Sequence, residues 1–206
     1  MRIFLAAISV LFAVPAFADR RELYTLIGLG PSVVTSNSPL GNGPSGSGAA
    51  IAGEVTAYYG ITNTLHVGAL LRAGGTKDFI FPSASTTLDN GSMVTGNLWA
   101  DTFAVGASGL VAYRVDTGYP FAPFARLELG FTHISQSRLQ VIPLSNSFGV
   151  SEPSRNELVL GVRGLIGLEY RFLERFVASV GIGYRKHFSS LAQWQLEFPV
   201  SVGLVW

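Results

Sequence analysis

One local constellation in this sequence has the residue types and spacing for covalent chemistry: His133-Ile134-Ser135. On an extended strand, side chains two apart share a face, which places a His base and a Ser hydroxyl side by side. A Ser activated by His, with a carboxylate orienting the imidazole, cleaves esters by acyl transfer. Glu152 and Glu157 are the nearest downstream acids for that third role. The plainer reading is an unremarkable His and Ser at a strand end, and the sequence favours it, because so short a match is common by chance. His66 and His187 fall on the polar faces of their segments, on non-adjacent strands and at opposite ends. With no cysteine, no paired Asp/His spacing and no phosphate-binding glycine loop, neither a metal nor another cofactor is expected.

A second set of residues is ionic rather than nucleophilic. Glu54, Arg72, Arg114, Arg126, Glu128, Arg163, Glu169, Arg171, Arg185 and Glu197 each stand at a position whose sequence neighbours are mostly apolar or small. Such a set either fills an interior as an ion-pair network or lines a pore as a selectivity ring. Arg, with its fork of donors, suits buried multidentate pairing, and the network is the reading adopted.

The elements that carry these charges are strands. Period-two alternation, the strand signal, recurs in eight segments: 22–35, 48–60, 64–75, 98–114, 122–134, 157–172, 176–188 and 194–206. In the last, Trp194, Leu196, Phe198, Val200, Val202, Leu204 and Trp206 share one face, against Gln195, Glu197, Pro199, Ser201 and Gly203 on the other. In 157–172, Leu158, Leu160, Val162, Ile166, Leu168, Tyr170 and Phe172 oppose Glu157, Gly161, Arg163, Gly167, Glu169 and Arg171. The first segment is the least clean, with Ile27, Leu29 and Val33 marking its apolar face.

Connections alternate in length. Those at 61–63, 115–121 and 173–175 are short; 36–47, 76–97 and 135–156 are long and rich in Gly, Ser, Asn and Pro, and the last, 189–193, is brief. An even number of antiparallel strands with short turns on one side and long loops on the other is the pattern of an outer-membrane barrel. The expected fold is therefore all-β: one eight-stranded antiparallel up-and-down transmembrane β-barrel, with both termini on the short-turn side.

Composition agrees. Of 206 residues, 48% are hydrophobic and only 13% charged, with a formal net charge of +1, where soluble domains carry about 25% charge. No basic stripe points to nucleic acid. No apolar run beyond the N-terminus reaches the roughly 18 residues of a spanning helix. A lipocalin-like cup with its apolar face inside would alternate too, but here the polar faces are rich in Gly, Ser and Thr, which suits a cramped interior. The apolar faces also end in aromatics such as Trp206, Tyr170 and Trp99, as at the two membrane interfaces. At the N-terminus, Arg2, the apolar run Ile3–Val14 and Ala16-Phe17-Ala18 read as a secretory signal peptide cleaved after Ala18, leaving 19–206 as the barrel domain.

On these residues the sequence resembles the small outer-membrane β-barrel family, of the OmpA transmembrane-domain, OmpX and OmpW type. Phe198, Val200, Val202, Leu204 and Trp206 look like that family's assembly signal, although its members more often end in Phe and Pro199 is unusual within a strand. The run Tyr59-Gly60-Ile61-Thr62-Asn63-Thr64-Leu65-His66-Val67-Gly68 resembles a tight periplasmic turn of such barrels. The resemblance implies insertion by the barrel-assembly machinery, lipopolysaccharide as a neighbour, and a monomer. Phe131-Thr132-His133-Ile134-Ser135 also resembles the His-x-Ser motif of outer-membrane lipid A deacylases, which would make His133 the base and Ser135 the nucleophile, with Glu152 or Glu157 as orienter. Gln136 stands where that family usually has Asn.

The function expected is structural or adhesive: a filled barrel presenting external loops in the bacterial outer membrane. Two other readings stay open, a narrow conduit for small apolar compounds and a lipid A ester hydrolase. Phe79, Ile80 and Phe81 form an apolar patch that packs on the barrel rim or meets a partner, with packing preferred.

Overall fold

The computed structural model describes residues 22–38, 40, 45–88, 91–143, 149–172, 175–189 and 192–206. The expected signal peptide and its cleavage site lie outside these residues. Ten strands follow in chain order: β1 (Leu23–Ser36), β2 (Gly46–Gly60), β3 (Leu65–Thr87), β4 (Met93–Arg114), β5 (Phe121–Pro143), β6 (Val150–Glu152), β7 (Arg155–Phe172), β8 (Phe176–Phe188), β9 (Ala192–Glu197) and β10 (Val200–Val205). Among the described residues no helix is long and apolar enough to cross a membrane.

Every pairing is antiparallel, and the sheet closes on itself. β1 pairs with β2 on one side and with both β10 and β9 on the other, while β8 pairs with the same two. β9 and β10 are thus two halves of one stave, and β6 is a short annex on β5. The wall has eight staves. Pro199 explains the break in the last: it has no N–H to give, yet Phe198 N–H donates to the Pro31 carbonyl (3.0 Å) and Gly181 N–H donates to the Pro199 carbonyl (3.0 Å), so the seam stays closed.

Alternation decides which side chains face in. The outward face is apolar around the barrel, with Ile27, Leu29, Ile51, Val55, Leu71, Leu127, Leu129, Ile166 and Val202 all more than half exposed. A soluble protein rarely leaves so continuous an apolar surface uncovered. The inward face of the first strand is apolar as well, at Tyr24 and Leu26. That is why its sequence alternates least clearly.

Two long connections are not loops. β3 runs on to Thr87 and β4 begins at Met93, so most of 76–97 is a tall hairpin; β5 runs on to Pro143 and takes up β6, so 135–156 is largely strand as well. Bulges hid this in the sequence. Register shifts between Thr76 and Phe79, between Phe81 and Ala84, and between Trp99 and Asp101 swap which parity faces inward. Ser83 and Arg138 take positive φ (54° and 52°) beside these shifts. Inward residues are even-numbered in lower β3 and β5, then odd at Phe79, Phe81, Leu139 and Val141. These four pack with Ala84, Leu98, Ala100, Val34 and Leu40 into an apolar cap. Phe79 and Phe81 are buried in it, and Ile80 between them is partly exposed.

Candidate functional site: the barrel lumen

The strand register brings charges from six staves to one level of the interior. Glu54 on β2 stands opposite Arg72 on β3, Glu128 on β5 opposite Arg163 on β7, Arg163 opposite Arg185 on β8, and Gly183 on β8 opposite Glu197 on β9. Small residues make the room. A Cβ on Gly28 would lie 2.5 Å from Ser201 Oγ and 2.9 Å from Glu54 Cγ, and one on Gly183 would lie 3.3 Å from Arg163 Nε.

Arg163 is the hub, with 1% of its surface exposed. Its Nη1 donates to Glu54 Oε2 (3.0 Å) and Glu128 Oε1 (2.9 Å), and its Nε lies 2.7 Å from Glu197 Oε2. Arg126 pairs with Glu54 (3.2 Å) and Glu128 (3.0 Å). Arg185 pairs with Glu128 (3.2 Å) and Glu197 (3.3 Å), and Arg72 also donates to Glu197. Each carboxylate in the cluster therefore meets two or more guanidinium groups. Pairing of this density is what allows charges to sit out of water, since an ion buried alone carries a desolvation penalty of several kcal/mol.

A second network closes the short-turn end. Arg171 forms a fork onto Glu22, with Nη1 to Oε1 at 3.0 Å and Nη2 to Oε2 at 2.6 Å. Arg114 Nε lies 2.9 Å from Glu169 Oε1, and Tyr58 O–H donates to Glu169 Oε2 at 3.0 Å. Tyr24 O–H donates to Glu22 Oε2 (2.8 Å), and its ring stacks on Tyr58 at 4.7 Å with His66 edge-on to both. Leu26, Leu70, Leu110 and Val177 pack with Tyr24 and Tyr58 in the bore. All ten charged residues singled out by alternation thus lie in two inward networks. Glu22, Tyr24 and Tyr58 also belong to them. Alternation could have flagged these three only by their parity, because a Tyr looks apolar and Glu22 stands at the edge of the first segment, the least clean of the eight.

Above the central cluster the lumen holds a cavity of about 60 Å³ for the centres of water-sized atoms, with Arg72, Arg185 and His187 at its polar side. Gln136 Nε2 donates across the bore to Ser36 Oγ (3.4 Å), and the apolar cap lies beyond.

His133 and Ser135 sit on the outward face of β5, in the run of the strand and not at its junction with a loop. Glu157 pairs with the inward Ile134 and accepts a hydrogen bond from Ser189 Oγ (2.7 Å), so its carboxylate is on the other side of the wall from His133. Glu152 lies on the annex strand, opposite Leu139, where it accepts from Thr86. Neither acid is brought to the His-x-Ser pair. His66 and His187 are both buried inside, at opposite ends of the bore, and the described residues contain no group of three potential metal ligands. Phe198, Val200, Val202 and Trp206 point outward on the closing stave.

Ring closure, eight staves and a charged, side-chain-filled bore define the class: the chain has the fold of the small eight-stranded outer-membrane β-barrels. Two solved structures are similar to it over most of both chains. Neisserial surface protein A matches at 15% identity and TM-score 0.53, covering 87% of this chain and 96% of its own. Ail, the attachment invasion locus protein of Yersinia pestis, in complex with the heparin analogue sucrose octasulfate, matches at 16% identity and TM-score 0.53, covering 91% and 100%. No protein-family model matches the sequence, and no curated protein matches it.

Proposed function

We propose that this protein is a bacterial outer-membrane barrel that does not conduct and that serves as a rigid anchor for the sheet rising above it. The ion-pair cluster across the bore carries this reading. An eight-stranded barrel has an interior only wide enough for side chains to fill, and here seven mutually paired charges occupy that width. The tall β3–β4 hairpin, the β5–β6 extension and the apolar cap then form the surface the cell presents. A surface role is also borne in the names of the two similar proteins, the Neisserial surface protein and the Yersinia pestis attachment protein.

In this reading the outward band of Ile, Leu, Val and Phe meets acyl chains, and lipopolysaccharide is its neighbour on the hairpin side. The closing stave, Phe198 to Trp206, is read by the assembly machinery, and the N-terminal 18 residues are removed on export. Planar-bilayer recording of the folded chain tests the filled lumen: the expected trace is silent, and steady open-channel steps refute the reading. Protease added to intact cells is expected to cut between Thr87 and Met93, the ends of β3 and β4; protection of this connection against external protease, with cutting only after lysis, refutes the orientation.

A further inference from the structure

The central cluster does not balance. Arg72, Arg126, Arg163 and Arg185 stay protonated in any protein environment, and among the described residues only Glu54, Glu128 and Glu197 answer them. Even with all three carboxylates ionised, one positive charge is uncompensated. Among the described residues the other network sets Arg114 and Arg171 against Glu22 and Glu169, and it lies at the far end of the bore. The surplus faces the cavity. Arg72 uses Nη1 on Glu197 and Arg185 uses Nε and Nη2 on Glu197 and Glu128, which leaves Arg72 Nη2 and Arg185 Nη1 as donors beside the space both residues line. His187 lines the same space, is 6% exposed, and its Nδ1 has no hydrogen-bond partner among the described residues.

We propose that this cavity binds a small aliphatic monocarboxylate, its carboxylate held by Arg72, Arg185 and His187 and its tail lying among Ala52, Ala104 and Ile134. Net charge held out of water is costly, and one monoanion neutralises the cluster. The rest of the wall is mostly apolar, with hydroxyls of Thr102, Ser108 and Thr132 among it, which separates this ligand from a bare inorganic ion: chloride would answer the charge and leave the apolar part unfilled. Size follows from volume. The cavity leaves about 60 Å³ for the centres of water-sized atoms, room for a short chain of atoms as well as the carboxylate.

The test is calorimetric titration of the folded full chain in detergent with sodium butyrate, sodium acetate and sodium chloride, in a buffer free of other small anions. One saturable site is expected, with butyrate about tenfold tighter than acetate for its two extra buried methylenes. Arg72→Gln balances the cluster and removes a charged donor, so butyrate binding falls about ten- to hundredfold. Ala104→Leu keeps every charge and fills the tail space, so it abolishes the preference for butyrate while acetate still binds. Either variant suffices if the other fails to fold. Absence of saturable butyrate binding to the folded wild-type chain overturns the proposal. So does unchanged affinity in Arg72→Gln, an equal affinity for chloride and butyrate, or a butyrate preference that survives in Ala104→Leu.

Discussion

Neutralising Glu128 is the perturbation most sensitive to the way the lumen is held together. Its carboxylate meets Arg126 at 3.0 Å, Arg163 at 2.9 Å and Arg185 at 3.2 Å, with no exposed side-chain surface. Glu128→Gln keeps the volume but leaves four guanidinium groups facing two carboxylates, doubling the uncompensated charge. Removing one partner from a buried pair costs about 3–5 kcal/mol, about 4 kcal/mol at the midpoint. With a urea slope of about 2 kcal/mol per M, the unfolding midpoint falls by roughly 2 M. The assay is equilibrium urea unfolding in phospholipid vesicles, followed by the fluorescence of Trp99, Trp194 and Trp206. Glu152→Gln, on the annex strand with Thr86, serves as the comparison and shifts stability by no more than about 1 kcal/mol. A Glu128→Gln midpoint indistinguishable from that of the comparison variant would show that the cluster does not hold the barrel together.

Three further outcomes follow from the same geometry. Tyr58→Phe deletes the hydroxyl that donates to Glu169 and is expected to cost about 1.5–3 kcal/mol in the same unfolding assay, as for a hydrogen bond to a charged group. Leu129→Arg places a charge on the outward face in mid-wall, where Leu129 is 57% exposed, and lowers stability in vesicles by about 2–4 kcal/mol, with a smaller effect nearer either end of the wall. Phe81→Ala empties the centre of the cap and costs that region about 3–5 kcal/mol; limited proteolysis then cuts the tall hairpin while the lipid-covered part of the barrel stays intact.

Much of this architecture is legible in the sequence. Ile27, Leu29 and Val33, or Trp194 through Trp206, announce an outward face because a strand's side chains alternate and lipid accepts only one kind of them. The same rule assigned Arg163, Glu128 and the other charges to the inside. What alternation could not follow was a bulge. At Thr76–Phe79 and at Arg138 one extra residue flips the parity, so Phe79, Phe81, Leu139 and Val141 read as loop residues although they bury one another.

Nor could periodicity say who pairs with whom. His133 and Ser135 share a face on the sequence's own evidence, yet the carboxylate of Glu157 lies through the wall because its strand pairs with β5 in a register that sets it against Ile134. The partners of Arg163 come from β2, β5 and β9, separated by as many as 109 residues along the chain. The sequence alone determined the solvent on each side of the wall, through composition and a period of two, both local properties. Closure of the ring decided the rest. Only when β1 meets β9 and β10 do charges from distant staves reach one level, leave one positive charge in excess, and enclose the space beside it.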